Sequence, residues 1–166
     1  MKDRKSREEM IMGTIAVHEF ITLDGVIDTP SWTLDYPFDP KMGEAIAGIM
    51  GQAILLGRNT YEMFAPVWST RTAEEDPGAP FMNDTPKYVV SSTLASADWK
   101  NSSVLGPYSA SAIRELKDRV DGTIYVSGSG TLVRALLADG ATAKLALAGC
   151  EAYDSGVLHL TYTPAT

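Results

Sequence analysis

At 166 residues, 45% hydrophobic and 21% charged, the chain has the size and make-up of one globular domain with a real core. Its 14 Lys and Arg against 21 Asp and Glu give a net charge of -7, which argues against general nucleic-acid binding and attraction to an anionic membrane surface. An anionic ligand would have to be met by local cations and backbone N–H groups.

The single cysteine, Cys150, excludes an internal disulfide framework and a multi-cysteine zinc site, and reads as a small half-buried strand residue. No apolar stretch reaches the length of a membrane span. Met1 to Glu9 is charged with no apolar segment behind it, unlike a secretory signal. The expectation is a disordered leader over 1–12, one folded domain over 13–166, and a cytoplasmic address.

Thr14 to Phe20 reads as a strand that runs into Thr22-Leu23-Asp24-Gly25, where Asp-Gly marks a turn. Asp28 to Pro40 has no clear period and reads as a long loop, a kind of segment that is often functional. Asp39-Pro40 then has the form of a helix start, an N-cap carboxylate followed by proline at the first helical position. Met42, Ala45, Ile46, Ile49 and Met50 recur at helical spacing, and Gly51 ends the helix. Ala53 to Leu56 is a continuous apolar run that fits a strand buried on both faces. After Gly57-Arg58, Asn59 and Glu62 have the spacing of a capping box, so Arg58 sits at the positive end of a helix.

Arg71 to Thr85 reads as irregular, and Lys87 to Ser91 as the next strand. A helix is predicted from Ser111, with Ile113, Leu116 and Val120 on one face, a Glu115–Arg119 pair on the other, and a stop at Asp121-Gly122. Thr123 to Ser127 reads as a strand, and Gly128-Ser129-Gly130 leads into a helix over Leu132 to Leu137 that Gly140 ends. Lys144 to Ala148 and Val157 to Thr163 read as two more strands joined through Asp154-Ser155-Gly156. Strands alternating with helices predict an α/β domain with a largely parallel sheet, and the short last connection predicts an antiparallel hairpin closing one edge.

Three of these strands break into polar, glycine-containing turns: Gly57-Arg58-Asn59-Thr60, Ser91-Ser92-Thr93 and Gly128-Ser129-Gly130-Thr131. Such a turn entering a helix gathers free N–H groups and hydroxyls, which is how a protein without a metal holds phosphate. Three at the carboxyl ends of strands in one sheet point to a long phosphorylated ligand, a nucleotide cofactor. Asp24 fits either a plain turn or a catalytic role, and Asp39 either a helix cap or a group facing a ligand. Trp32, Tyr36 and Trp68 could stack on a planar heterocycle or pack in the core. His18 and His159 have no third ligand in view, so no metal is expected.

Ile21-Thr22-Leu23-Asp24-Gly25, Leu56-Gly57-Arg58-Asn59-Thr60-Tyr61-Glu62, Lys87-Tyr88-Val89-Val90-Ser91-Ser92 and Val126-Ser127-Gly128-Ser129-Gly130-Thr131-Leu132 together resemble the dihydrofolate reductase-like fold. Within it, the chain is most similar to the branch related to the reductase domain of bacterial riboflavin biosynthesis. The resemblance implies a three-layer fold and NADPH bound across the sheet's carboxyl edge. Arg58 and Ser91-Ser92 would hold the adenosine 2′-phosphate, and Thr60, beside Gly57 and Asn59, the pyrophosphate. Gly128, Ser129 and Gly130, followed by Thr131, would admit the pyrophosphate and the nicotinamide ribose. A reduced pterin or ribosyl-aminopyrimidine would lie near Trp32, with Asp24 in the covering loop, Asp39 as the acidic partner, and Asp39 or an ordered water as the proton source.

Relatives of this kind place a further strand and a glycine-containing loop before the final hairpin. Here Leu137-Ala138-Asp139-Gly140 passes almost directly to Lys144-Leu145-Ala146-Leu147, so one strand of the sheet is absent. An alternative alignment keeps that strand and loses the hairpin. The resemblance and the shortened sheet both favour a homodimer. The leading expectation is an NADPH-dependent reductase of a small planar heterocycle. Its rivals are a nucleotide-binding protein without turnover and an oligomer whose glycine turns are structural.

Overall fold

Five parallel strands in the order β1-β5-β2-β3-β4 make the central sheet of this computed structural model, which describes residues 12–140 and 144–165. They are β1 (Thr14–His18), β2 (Ala53–Gly57), β3 (Lys87–Val90), β4 (Ser102–Gly106) and β5 (Thr123–Ser127). Helices α1 (Pro40–Ile49), α2 (Arg58–Trp68), α3 (Ala79–Asp84), α4 (Ala110–Arg119) and α5 (Gly130–Asp139) connect them, and β6 (Leu145–Ala152) and β7 (Leu158–Pro164) follow. The expected leader lies outside the described residues, apart from Met12.

Alternation along β2 builds both halves of the core. Ala53 and Leu55 face one side with Ile124 and Val126, under Ile113 and Leu116 of α4 and Leu132 of α5. Ile54 and Leu56 face the other with Val89 and Tyr125, under Tyr61 of α2 and Met82 of α3, with Ile46 and Ile49 of α1 alongside. Ile54, Leu55 and Leu56 are wholly buried, each worth roughly 2 kcal/mol of apolar burial. The result is the α/β domain that the sequence pattern predicts, in the three-layer form that the resemblance implies.

Five local expectations are corrected. The Asp28–Pro40 loop contains a 3-10 helix, Pro30–Asp35, and the Arg71–Thr85 stretch contains α3 with Pro80 in its first turn, where proline costs no hydrogen bond. Asn59 does not cap α2; the helix starts at Arg58 after Gly57, and Glu62 turns to the Arg58 guanidinium instead. The β4 strand, absent from the sequence reading, extends the sheet beyond β3. Cys150 is exposed on β6 rather than half-buried.

The sixth correction concerns the hairpin. β6 and β7 pair antiparallel, as expected, but form their own two-stranded sheet and do not close an edge of the main one. Among the described residues no further strand pairs with either β6 or β7. Of the sheet's two edge strands, β1 pairs with β5 alone. Thr14 N–H donates to Gly122 and the His18 carbonyl accepts from Gly128, so by strand alternation the backbone groups of Ile15 and Val17 face the open edge.

Candidate functional site

Because β5, β2 and β3 are neighbours and parallel, their carboxyl ends bring the three polar turns side by side. They line one cleft of about 880 Å³, large enough for a dinucleotide-sized ligand. Gly57, Arg58, Asn59, Thr60, Ser91, Ser92, Gly128, Ser129, Gly130 and Thr131 all border it. Asp24, Trp32 and Asp39 do not. Asp24 sits in a tight turn, with Gly25 at φ +89 and its N–H on the Thr22 carbonyl. Asp39 caps α1, its Oδ1 accepting from Lys41 N–H at 2.9 Å. Trp32 lies half-buried in the 3-10 helix, its Nε1–H without a partner among the described residues.

Two helices begin at this cleft, α2 at Arg58 and α5 at Gly130, and neither has a side-chain cap. Their leading N–H groups are therefore open to an anion. Ser129, the residue before α5, is committed elsewhere: its Oγ accepts from Gly57 N–H at 2.9 Å and donates to Thr60 Oγ1 at 2.9 Å. That pair of bonds ties the β2–α2 turn to the β5–α5 turn. It holds Ser129 at φ 63, a left-handed conformation unusual outside glycine, and Gly128 adopts φ 59 beside it. Gly130 abuts Ile27 closely enough that a Cβ there would fall 2.2 Å from Ile27 Cδ1, so the 22–30 loop covers the start of α5.

Arg58 is the one cationic side chain lining the cleft among the described residues. Its Nε donates to Glu62 at 2.8 Å and its guanidinium to Thr93 Oγ1 at 2.6 Å, which holds it across the gap between the β2 and β3 turns. Ser91 Oγ accepts from Thr93 and Leu94 N–H, fixing the third turn. Such an arrangement suits a phosphate at the Arg58–Ser91 end and a diphosphate between the two helix starts.

Three titrating residues line the cleft wall, of which the sequence reading weighed only His18, as a metal ligand. Burial pushes the Glu19 carboxyl up to about 7, with Asp28 adding to the rise and Arg134 opposing it. Burial, and then the charge of His159, press His18 down to about 4, so it is neutral at pH 7. Tyr108 is raised to about 12 by burial and by donating to Asp139 at 2.6 Å. The only advance signal of Glu19 was an isolated acid inside an apolar run at a strand end. Among the described residues, no cluster of three His, Cys, Asp or Glu side chains is placed to hold a metal ion, and no helix is long and apolar enough to cross a membrane.

A parallel sheet sandwiched between helices, with turn-lined clefts at its carboxyl edge and a separate hairpin, defines an α/β protein of the dihydrofolate reductase-like fold. The chain belongs to the RibD C-terminal domain family, whose model matches residues 13–148, a family of reductase domains of the riboflavin-biosynthesis type. The match takes in the five-stranded sheet and all three turns and ends inside β6. No curated protein matches the chain.

Proposed function

We propose that the protein is an NADPH-dependent reductase of a small planar heterocycle, a pterin-like or ribosyl-aminopyrimidine-like compound. The observation that carries this reading is the convergence of three polar turns and two uncapped helix starts on one cleft. Arg58 with Ser91 and Ser92 would hold the 2′-phosphate, Thr60 and the α2 start one side of the pyrophosphate, and Gly128 to Thr131 the other side and the ribose. The positive φ of Gly128 suits a close backbone approach that a side chain would hinder. When bound, NADPH supplies a hydride to an electrophilic C=N carbon, and the chain supplies orientation and exclusion of water. Asp24, Trp32 and Asp39 belong in this proposal to the substrate side, on the segment between β1 and α1. A cytoplasmic setting, where reduced nicotinamide is held, goes with this reading.

Calorimetric titration with NADPH and NADH tests it. Wild type should prefer NADPH, and Arg58→Ala should lose roughly 10- to 100-fold in NADPH affinity while NADH affinity changes little, since charge-assisted contacts are worth about 1.5–3 kcal/mol. An unchanged preference in the variant would sink the assignment.

A second reading, nucleotide binding without turnover, is supported by the sheet's end at β1, since the resemblance implies a further strand there, lining the substrate groove. NADPH binding with no reduction of any pteridine or pyrimidine would select it. In either reading we infer a homodimer, because the open β1 edge and the bare hairpin expose surfaces that a second copy would cover.

A further inference from the structure

A reductase acting on C=N needs a proton as well as a hydride, and Asp39, the acid suggested by resemblance, is occupied at its helix N-terminus outside the cleft lining. Glu19 is placed differently. It follows β1 directly, lines the cleft beside His18 and Gly128, and stands on the same wall as the β5–α5 turn. Its Oε1 is shielded from solvent and has no hydrogen-bond partner among the described residues. An unpartnered buried carboxyl oxygen at a cleft wall is costly as a carboxylate unless a ligand or a proton satisfies it.

We propose that Glu19 is the general acid of this cleft, carrying the proton that passes to a heterocyclic nitrogen of the bound substrate. This inference rests on the reductase reading and adds to it the identity of the donor. As the C=N carbon gains the hydride and its π bond breaks, the Glu19 O–H bond breaks and the proton forms the new N–H bond. Glu19 is left as a carboxylate and regains its proton from solvent, so each turnover consumes one NADPH and one proton and yields the reduced heterocycle and NADP⁺.

The groups around Glu19 fit a proton-holding role at neutral pH. Burial favours its neutral form, Asp28 from the loop reinforces this, and Arg134 from α5 opposes it without cancelling it. Tyr125 from β5 is also coupled to it and is itself raised by burial, so it brings no charge at pH 7. Adjacent His18 is held neutral. The half-protonation point near 7 is the one at which an acid is both loaded and willing to donate.

The test is a carbon-13 NMR titration of the side-chain carboxyls of the full chain, with the Glu19 signal assigned by its loss in Glu19→Gln or, should that variant not fold, in Glu19→Asp. The expected midpoint is near 7, and saturation with NADPH should shift the signal or its midpoint because the nucleotide enters the same cleft. A midpoint below about 5, or a signal indifferent to saturating NADPH, would overturn the proposal. With dihydrofolate as a C=N probe, wild-type turnover should fall as pH rises through 7, and Glu19→Gln should lose roughly 100-fold at pH 6. A Gln variant within threefold of wild type would also overturn it. If dihydrofolate is not turned over, the NMR arm decides alone. If NADPH does not bind at all, the reductase reading fails, whatever the Glu19 midpoint.

Discussion

At the residue scale, two neighbours in the chain are shifted in opposite senses by burial. Glu19 is raised from 4.5 to about 7 in the fold, so the native state binds the extra proton and stability falls as pH rises through that window. His18 is lowered from 6.5 to about 4, so the unfolded state binds the extra proton and stability falls as pH drops through that window. Between about 4.5 and 6.5 the two slopes oppose each other. Thermal unfolding of Glu19→Gln should therefore show a melting temperature that drops on acidification from 6.5 to 4.5 more steeply than wild type. A parallel pair of curves would mean that Glu19 is not raised in the folded chain.

At the element scale, the hairpin and the β1 edge carry the next prediction. Cross-strand pairing and alternation put Leu145, Leu147, Leu158, Leu160 and Tyr162 on one face of β6–β7, each between 44% and 56% exposed. An apolar ribbon of that kind beside an open parallel edge is a surface that proteins normally cover. Sedimentation should give twice the 17.9 kDa chain mass, and Leu147→Asp with Leu160→Asp should return it to the single-chain value. A monomeric wild type would contradict the homodimer.

Most elements were legible because their signals are local. Asp39-Pro40 starts α1, the unbroken apolar run of β2 marks a strand buried on both faces, and the glycine turns fall at strand ends as their spacing implies. β4 escaped because Ser102 to Gly106 is short, polar at its start and at the sheet's edge, where half-exposed residues give no clear alternation. α3 escaped because two prolines obscure a six-residue helix. Its end is fixed from outside the local sequence: the buried Lys87 ammonium, at the start of β3, donates to the carbonyls of Met82, Asn83 and Thr85. The capping-box spacing at Asn59 misled because Arg58 competes for Glu62, an i,i+4 ion pair that pattern alone does not rank.

At the scale of the whole molecule, an acidic protein gathers three polar turns around one cleft. Three adjacent strands deliver three turns, two helix starts aim their N–H groups at a shared space, and Ser129 bonds two of the turns together. The site residues on these turns could be gathered from sequence because each sits in a short motif. Glu19 could not be singled out, because its significance comes from burial against α5 and the 22–30 loop, a tertiary property. In the proposed function these turns form one nucleotide site. Amide chemical-shift mapping on titration with NADPH tests it most directly. The prediction is concerted, saturable shifts at Gly57 to Thr60, Ser91 to Ser92 and Gly128 to Thr131 with a single dissociation constant; shifts confined to one turn, or none at millimolar NADPH, would contradict it.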